Sequence, residues 1–467
     1  MTSPPIERLE DGAALQPARE SRPISWPLVL VGAAFLIQAG QLLAFTLRNA
    51  VNVLFWDQWD FTTPIFRHEP LWRIFAWQHG PIRLGVGGVC TALLAALTRW
   101  NTRAEAVAVV VVVAAAALAA LRLRRRIGGP LSFTDVAIPL LLLSRLQYEM
   151  IVGPTNLSHG PFPLLLAMLL CLAWLVPWPA PRYALVAGLN FLTVFTAFGL
   201  LMGLVTPALL ALDAWCARRA GNRRALAAAL IALALALLTL GVFFVGYRFA
   251  PGDDTFHFPY HDVLAYPWYA GLILANTFGL KTPDGIVASM AGIVLLGAVA
   301  GVLALHVRRL VRQEAETEPQ SRVVAILLAF SLLFVLAAAV GRVQLGGYSA
   351  DSSRYYPYAV TGILGLYLHA RGMRRPSARR WALGVVLAGS LAAGLRLTRF
   401  DRDTIFQFSN GKREWRSCYV ATRSIAGCDR AAGFAIYPHP EKTGLQAKLD
   451  YLERHRLNLF ADEPLTR

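Results

Sequence analysis

Two carboxylates stand three residues apart in Trp56-Asp57-Gln58-Trp59-Asp60, each preceded by a tryptophan. Carboxylates at this spacing can converge on one site, where one acts as a general base toward a hydroxyl. A like-charged neighbour raises the pKa of one member of such a pair. The indole rings of Trp56 and Trp59 can wall a sugar-sized pocket. The same turn also has a plain structural use: Asp60 can cap a helix starting near Phe61-Thr62-Thr63-Pro64, with Asp57 solvated. Both readings stay open on the residues alone.

Cationic partners for an anionic substrate are Arg342 and Arg354. Arg342 ends a long apolar run, where a charge is costly unless it is used or paired. A guanidinium suits bidentate phosphate recognition. The alternatives are a pair with Asp351 or another nearby acid, or a side chain that snorkels to headgroups. Arg145 and Glu149 are four apart and fit an ion pair on one helix face. Asp253, Asp254, His257 and His261 have the composition of a metal site, but a polar loop of this kind is ordinarily solvated. No Walker-type glycine loop, no GxSxG and no Cys/His zinc spacing occurs, which disfavours nucleotide triphosphate hydrolysis, serine hydrolysis and zinc-finger roles.

The elements that must position these residues are membrane helices. The chain has 467 residues, of which 56% are hydrophobic and 16% charged, with mean hydropathy +0.48. Soluble domains carry about 25% charged residues. The net charge of +17 sits in clusters at the ends of apolar runs: Arg122 with Arg124–126, Arg218, Arg219, Arg223 and Arg224, then Arg308, Arg309 and Arg312, then Arg371 to Arg380. Such clusters mark cytoplasmic loops. A basic face for nucleic acid is not visible.

Taking those clusters as inside markers gives eleven crossings: 26–47, 104–121, 133–146, 162–175, two within 183–216, 225–245, 286–307, 323–340, 358–369 and 381–395. The apolar stretch 84–97 is short for a span and is expected to stay outside, within a periplasmic loop 48–103. Stretch 263–280 is expected to be shallow. Residues 1–25 form a cytoplasmic tail, 26–397 the transmembrane domain and 398–467 a small periplasmic segment. The expected fold is an all-α polytopic membrane protein of about eleven transmembrane helices with a small C-terminal α+β piece, in a bacterial cell inner membrane. The acids and aromatics then gather at the outer face, including Trp72, Trp77, Tyr266, Tyr348 and Tyr355.

The C-terminal segment is too small to bury much core alone. A strand at 434–437 and a helix at 444–456 are expected there. Cys418 and Cys428 both fall in it, and exposed thiols in an oxidising compartment pair. Cys90, Cys171 and Cys216 lie in or beside apolar helices as small hydrophobes.

An Asp-bearing turn directly after the first span resembles the GT-C class of polyprenyl-phosphate-dependent glycosyltransferases. The chain is more closely similar to an uncharacterised bacterial subgroup of that superfamily. The elements carrying the resemblance are, in order, the Trp56–Asp60 turn, Gln78-His79 followed by Arg83, Trp100 to Glu105, Gln147-Tyr148-Glu149, Gly341-Arg342 and Ser353-Arg354-Tyr355. The segment Gln78-His79-Gly80-Pro81-Ile82-Arg83 stands where a His-Asn-Glu-His-Arg pattern would be expected, and it lacks the Glu and the second His. The resemblance implies a GT-C-like bundle with its site at the outer face and a polyprenyl-phosphate-linked sugar as donor. It makes Asp57 or Asp60 the base toward an envelope acceptor. It adds Arg342, Arg354, Trp56, Trp59, His79, Arg83 and Tyr355 as substrate-binding residues. Members often use a divalent metal ion at this turn; His68 and Glu69 are the nearest candidates. A transporter or flippase of lipid-linked sugars, or an inactive envelope-assembly scaffold, are the competing readings.

Overall fold

Backbone N–H and C=O groups find no water in hydrocarbon, so an apolar run long enough to cross must satisfy them within a helix. The computed structural model describes residues 25–249, 256–282, 285–313 and 318–461. Among these, seven helical stretches are long and apolar enough to cross a membrane: Trp26–Asn49, Thr102–Gly128, Ala197–Arg219, Arg223–Phe244, Ile286–Val311, Glu318–Leu345 and Pro376–Thr422. The chain is thus a helical, multi-pass membrane protein. Strands among the described residues are limited to one antiparallel hairpin, with Gln78 opposite Arg83 and His79 opposite Ile82.

The helix Tyr356–Arg371 serves as a ruler for the shorter segments. Near its last turn, Tyr367 donates to Asp135, whose carboxylate also takes the Arg124 guanidinium at 2.8 Å. At its start, the Glu149 amide donates to Ser353 Oγ at 2.8 Å. Residues 135–149 therefore connect opposite ends of the bundle, although their only α-helical parts are Ala137–Leu142 and a turn at Glu149–Val152. The helices Pro161–Trp174 and Pro179–Val194 are likewise short.

Two helices stay at the Asp57 end. In Gly85–Thr98, Gly87 lies so close to the Ser158 backbone that no Cβ would fit. Just past its other end, the Arg99 carbonyl accepts from the Asn458 amide at 3.0 Å. In Ala265–Asn276, Tyr269 bonds Ser349 at 2.7 Å and Asn276 bonds the Asp351 carbonyl at 3.0 Å, so both its ends meet the same turn.

A second apolar core joins the 51–66 segment to the C-terminal residues. It contains Phe55, Trp59, Trp415, Tyr419, Tyr437, Leu445, Leu449 and Leu452. The expected strand at 434–437 is absent: no neighbouring segment offers a ladder there, and Ile436 contributes a single carbonyl to the Trp56 amide. The C-terminal part is helical instead. Arg399–Thr422 starts with a capping box between Thr398 and Asp401 and buries Ile405, Ser409, Lys412, Trp415 and Tyr419 at helical spacing. Leu445–Arg454 buries Leu445, Leu449 and Leu452. A disulfide joins Cys418 to Cys428, with Cα atoms 5.5 Å apart.

Candidate functional site

The turn 353–355 presents Arg354 between two cavities. One is small, about 40 Å³, room for roughly a single water, and is lined by Trp56, Asp57, Glu149, Asn156, His159 and Arg354 among others. The other is about 730 Å³, within the usual size of a ligand site, and its walls are mainly apolar and aromatic, with Phe198, Phe244, Tyr247, Phe334 and Tyr355. Arg342 lines the large cavity. Arg354 and His159 line both.

Hydrogen bonds fix Arg354 from behind. Its amide donates to Glu149 Oε2 at 2.8 Å, and its Nε donates to Ser352 Oγ at 3.0 Å. Ser352 Oγ in turn donates to the same Glu149 oxygen at 2.6 Å. The Nη1 corner then points to Asp57 Oδ2 at 3.8 Å, where about half of the Asp57 side chain remains exposed. Burial opposes the Arg354 charge, but Glu149, then Tyr355 and Asp57, outweigh it and hold the guanidinium more firmly protonated than usual. His159 is pushed down to about 3 by burial and by Arg354, with His79 and Arg342 adding to this; it is neutral at ordinary pH. Its Nδ1 is buried and has no hydrogen-bond partner. Arg342 is exposed and has no carboxylate partner among the described residues.

The turn that carries Asp57 is held by the C-terminal segment. Trp56 adopts φ 49° and donates its amide to Ile436 O at 2.9 Å and its indole N–H to Ala435 O at 3.2 Å. Lys448 donates to Trp59 O and to Thr63 Oγ1. Asp57 and Asp60 therefore part company. Asp60 does not line either cavity; its Oδ2 accepts from Tyr437 Oη at 2.7 Å, and the negative charge beside it, after burial, keeps the Tyr437 phenol above its usual pKa. Neither aspartate side chain caps the helix that follows.

Several residues named from the resemblance have structural duties. Trp59 is fully buried and packs on Phe66, because its place in the turn faces the second core. Arg83 is buried and donates to the carbonyls of Phe243 and Val245, at 2.8 and 2.7 Å, and to Ala76 O. It closes the carbonyl end of Arg223–Phe244, which would otherwise lack donors. His79 stands edge-on to Phe61, with ring centroids 6.1 Å apart. The Arg145–Glu149 pair is not made. Arg145 lies in a 3-10 turn, which breaks the i,i+4 register, and donates to Leu395 O at 3.1 Å.

The implied metal does not fit this donor set. Glu69 pairs with Arg73 at 3.0 Å, His68 faces the Tyr451 ring, and the charged neighbour of Asp57 is a guanidinium. No group of three or more His, Cys, Asp or Glu among the described residues could hold a metal ion. His257 and His261 are exposed and belong to no such group; Asp253 and Asp254 lie outside the described residues.

His159 and the aromatic walls were not foreseen from the sequence. A lone histidine in the Gly/Pro/Ser/Asn-rich run 153–161 is the signal by which the first could have been found. No known family model matches the chain, and no curated protein matches it significantly.

Proposed function

We propose that the chain is an integral membrane glycosyltransferase of GT-C type. In this reading it moves a sugar from a polyprenyl-phosphate donor to an envelope acceptor at the periplasmic face of a bacterial inner membrane. The observation that carries this is Arg354, which lies at once beside Asp57 and on a lipid-sized apolar cavity that also holds Arg342. The polyprenyl tail lies along Phe198, Phe334 and Tyr355, and its phosphate meets Arg342 and Arg354, whose planar forks match phosphate oxygens. Asp57 accepts the proton of the acceptor hydroxyl. The freed oxygen bonds to the anomeric carbon as the bond from that carbon to the phosphate oxygen breaks, and the electron pair leaves with the phosphate. His159, being neutral, supplies a hydrogen bond without adding repulsion toward either arginine. No step is routed through a metal.

Eleven crossings accompany this reading. Seven are the long helices, and four are residues 133–146 and the helices Pro161–Trp174, Pro179–Val194 and Tyr356–Arg371. The contacts that tie residues 135–149 to both ends of Tyr356–Arg371 support the shortest of them. The N-terminal tail is then cytoplasmic, and residues 398–467 are periplasmic.

The test is transfer of a labelled hexose from a synthetic polyprenyl-phosphate donor by purified protein in proteoliposomes. Asp57→Asn should fold normally and lose about 10²–10⁴-fold in rate, the usual cost of a positioned base. Full activity in a well-folded Asp57→Asn variant would overturn the assignment.

A further inference from the structure

A second basic, apolar-walled cavity lies at the opposite end of the bundle. It has a volume of about 560 Å³ and is formed between Trp26–Asn49 and Thr102–Gly128. Its walls are Leu28, Val31, Phe35, Leu118 and Leu121, and Arg122, Arg125 and Arg126 stand along it. Helix Thr102–Gly128 has 27 residues, so these arginines are separated by roughly 30–40 Å from its Thr102 end. That end bonds Asn52 and Val51, next to the turn that carries Asp57.

The arginines of this cluster divide into two kinds. Arg124 is buried and satisfied, bonded to Asp135 at 2.8 Å and to the carbonyls of Gly129 and Pro130. Arg122, Arg125 and Arg126 are exposed and have no carboxylate partner among the described residues. Topology needs positive charge at this end of the helix, but it does not need an open apolar channel beside it. Gly32 borders that channel, and the space beside it is open: a Cβ placed there meets nothing within 4 Å. A positive rim over an apolar furrow at one membrane surface complements one kind of molecule, an amphiphile with an anionic head. Basic pockets between transmembrane helices bind phospholipid headgroups in this way.

We infer that this groove is a binding site for an anionic phospholipid, with its phosphate held by Arg122, Arg125 and Arg126 and an acyl chain lying over Gly32 between Val31, Phe35 and Leu121. The site is independent of the transfer chemistry, which lies at the other end of the bundle.

Purified full-length protein in detergent is titrated with phosphatidylglycerol, or with phosphatidylcholine of the same acyl chains, and bound lipid is counted by native mass spectrometry. Phosphatidylglycerol should bind and phosphatidylcholine should not displace it. Each guanidinium near an anionic headgroup contributes about fivefold in affinity, so Arg122→Gln/Arg125→Gln/Arg126→Gln should weaken binding roughly a hundredfold. Gly32→Leu fills the furrow with every charge in place and should also weaken binding; it serves where the triple variant folds poorly. Soluble glycerophosphoglycerol should not compete. Equal binding of the two lipids, unchanged binding in Gly32→Leu, or effective competition by the soluble headgroup would each overturn the assignment.

Discussion

Arg354 Nη1 stands 3.8 Å from Asp57 Oδ2, although the two residues are almost 300 positions apart and enter from different elements. The separation is too long for a tight ion pair, and Asp57 stays half-exposed beside a guanidinium already anchored through Glu149 and Ser352. A carboxylate in this state keeps an accepting oxygen available. Anchored from behind, the arginine borders both cavities.

Substitution of the arginines should therefore separate charge from geometry. Arg354→Lys keeps the charge and loses the fork, so donor KM should rise and kcat should fall less than in Arg354→Ala. Arg342→Ala should weaken donor use more than Arg342→Lys. Steady-state kinetics over a range of donor concentrations reads both; identical behaviour of the Lys and Ala variants would leave no role for a bidentate contact.

Asp60 should behave as a structural residue. Asp60→Ala removes the acceptor of Tyr437 Oη and should cost roughly 1–3 kcal/mol of stability, seen as a lower unfolding midpoint. Transfer by the folded fraction should change little. A loss of rate comparable to that of Asp57→Asn, without loss of stability, would return Asp60 to the chemistry.

The multi-pass helical character was legible because it rests on the length of the apolar runs and on arginines placed at their ends. Division of labour within the turn was not. Trp59 and Trp56 are equivalent in sequence, yet one is sealed in the second core, while the other is held at its edge by Ala435 and Ile436 and borders the small cavity. Arg83 was named as a substrate-binding residue from the resemblance alone; in the fold, carbonyls of a helix 160 residues later claim it. The helix Arg399–Thr422 was hidden because its buried stripe includes Asp401, Ser409 and Lys412, residues that read as surface.

The Cys418–Cys428 bridge closes a ten-residue separation within the segment that holds the Asp57 turn. In the chain-entropy model, a loop of that length contributes roughly 2–3 kcal/mol. A non-reduced digest of protein from native membranes should contain the linked peptides, and reduction should lower the stability of the segment by about that amount. Alkylation of both thiols without prior reduction would contradict the bridge and the periplasmic placement together.

Lys448 gives the same segment a pH dependence. Burial pulls its amine down to about 8, Asp60 opposes this and Arg67 adds to it. In the unfolded chain a lysine titrates near 10.4. Between these values the unfolded state holds a proton that the folded state lacks, so stability rises with pH through this window. Protease protection of the segment should increase from about pH 7.5 to 10 in the wild type relative to Lys448→Met. Parallel curves for the two proteins would exclude this role.

The proposed transfer requires a polyprenyl phosphate in the aromatic cavity with its head at Arg354. A photoreactive polyprenyl phosphate, crosslinked to the full-length protein in nanodiscs and mapped by peptide mass spectrometry, tests it most directly. Label should concentrate in peptides containing Phe198 and Phe334, be displaced by unlabelled polyprenyl phosphate and not by phosphatidylglycerol, and fall at least tenfold in Arg354→Ala. Label spread over the lipid-facing helices and indifferent to both competitor and variant would mean that the cavity does not hold the lipid.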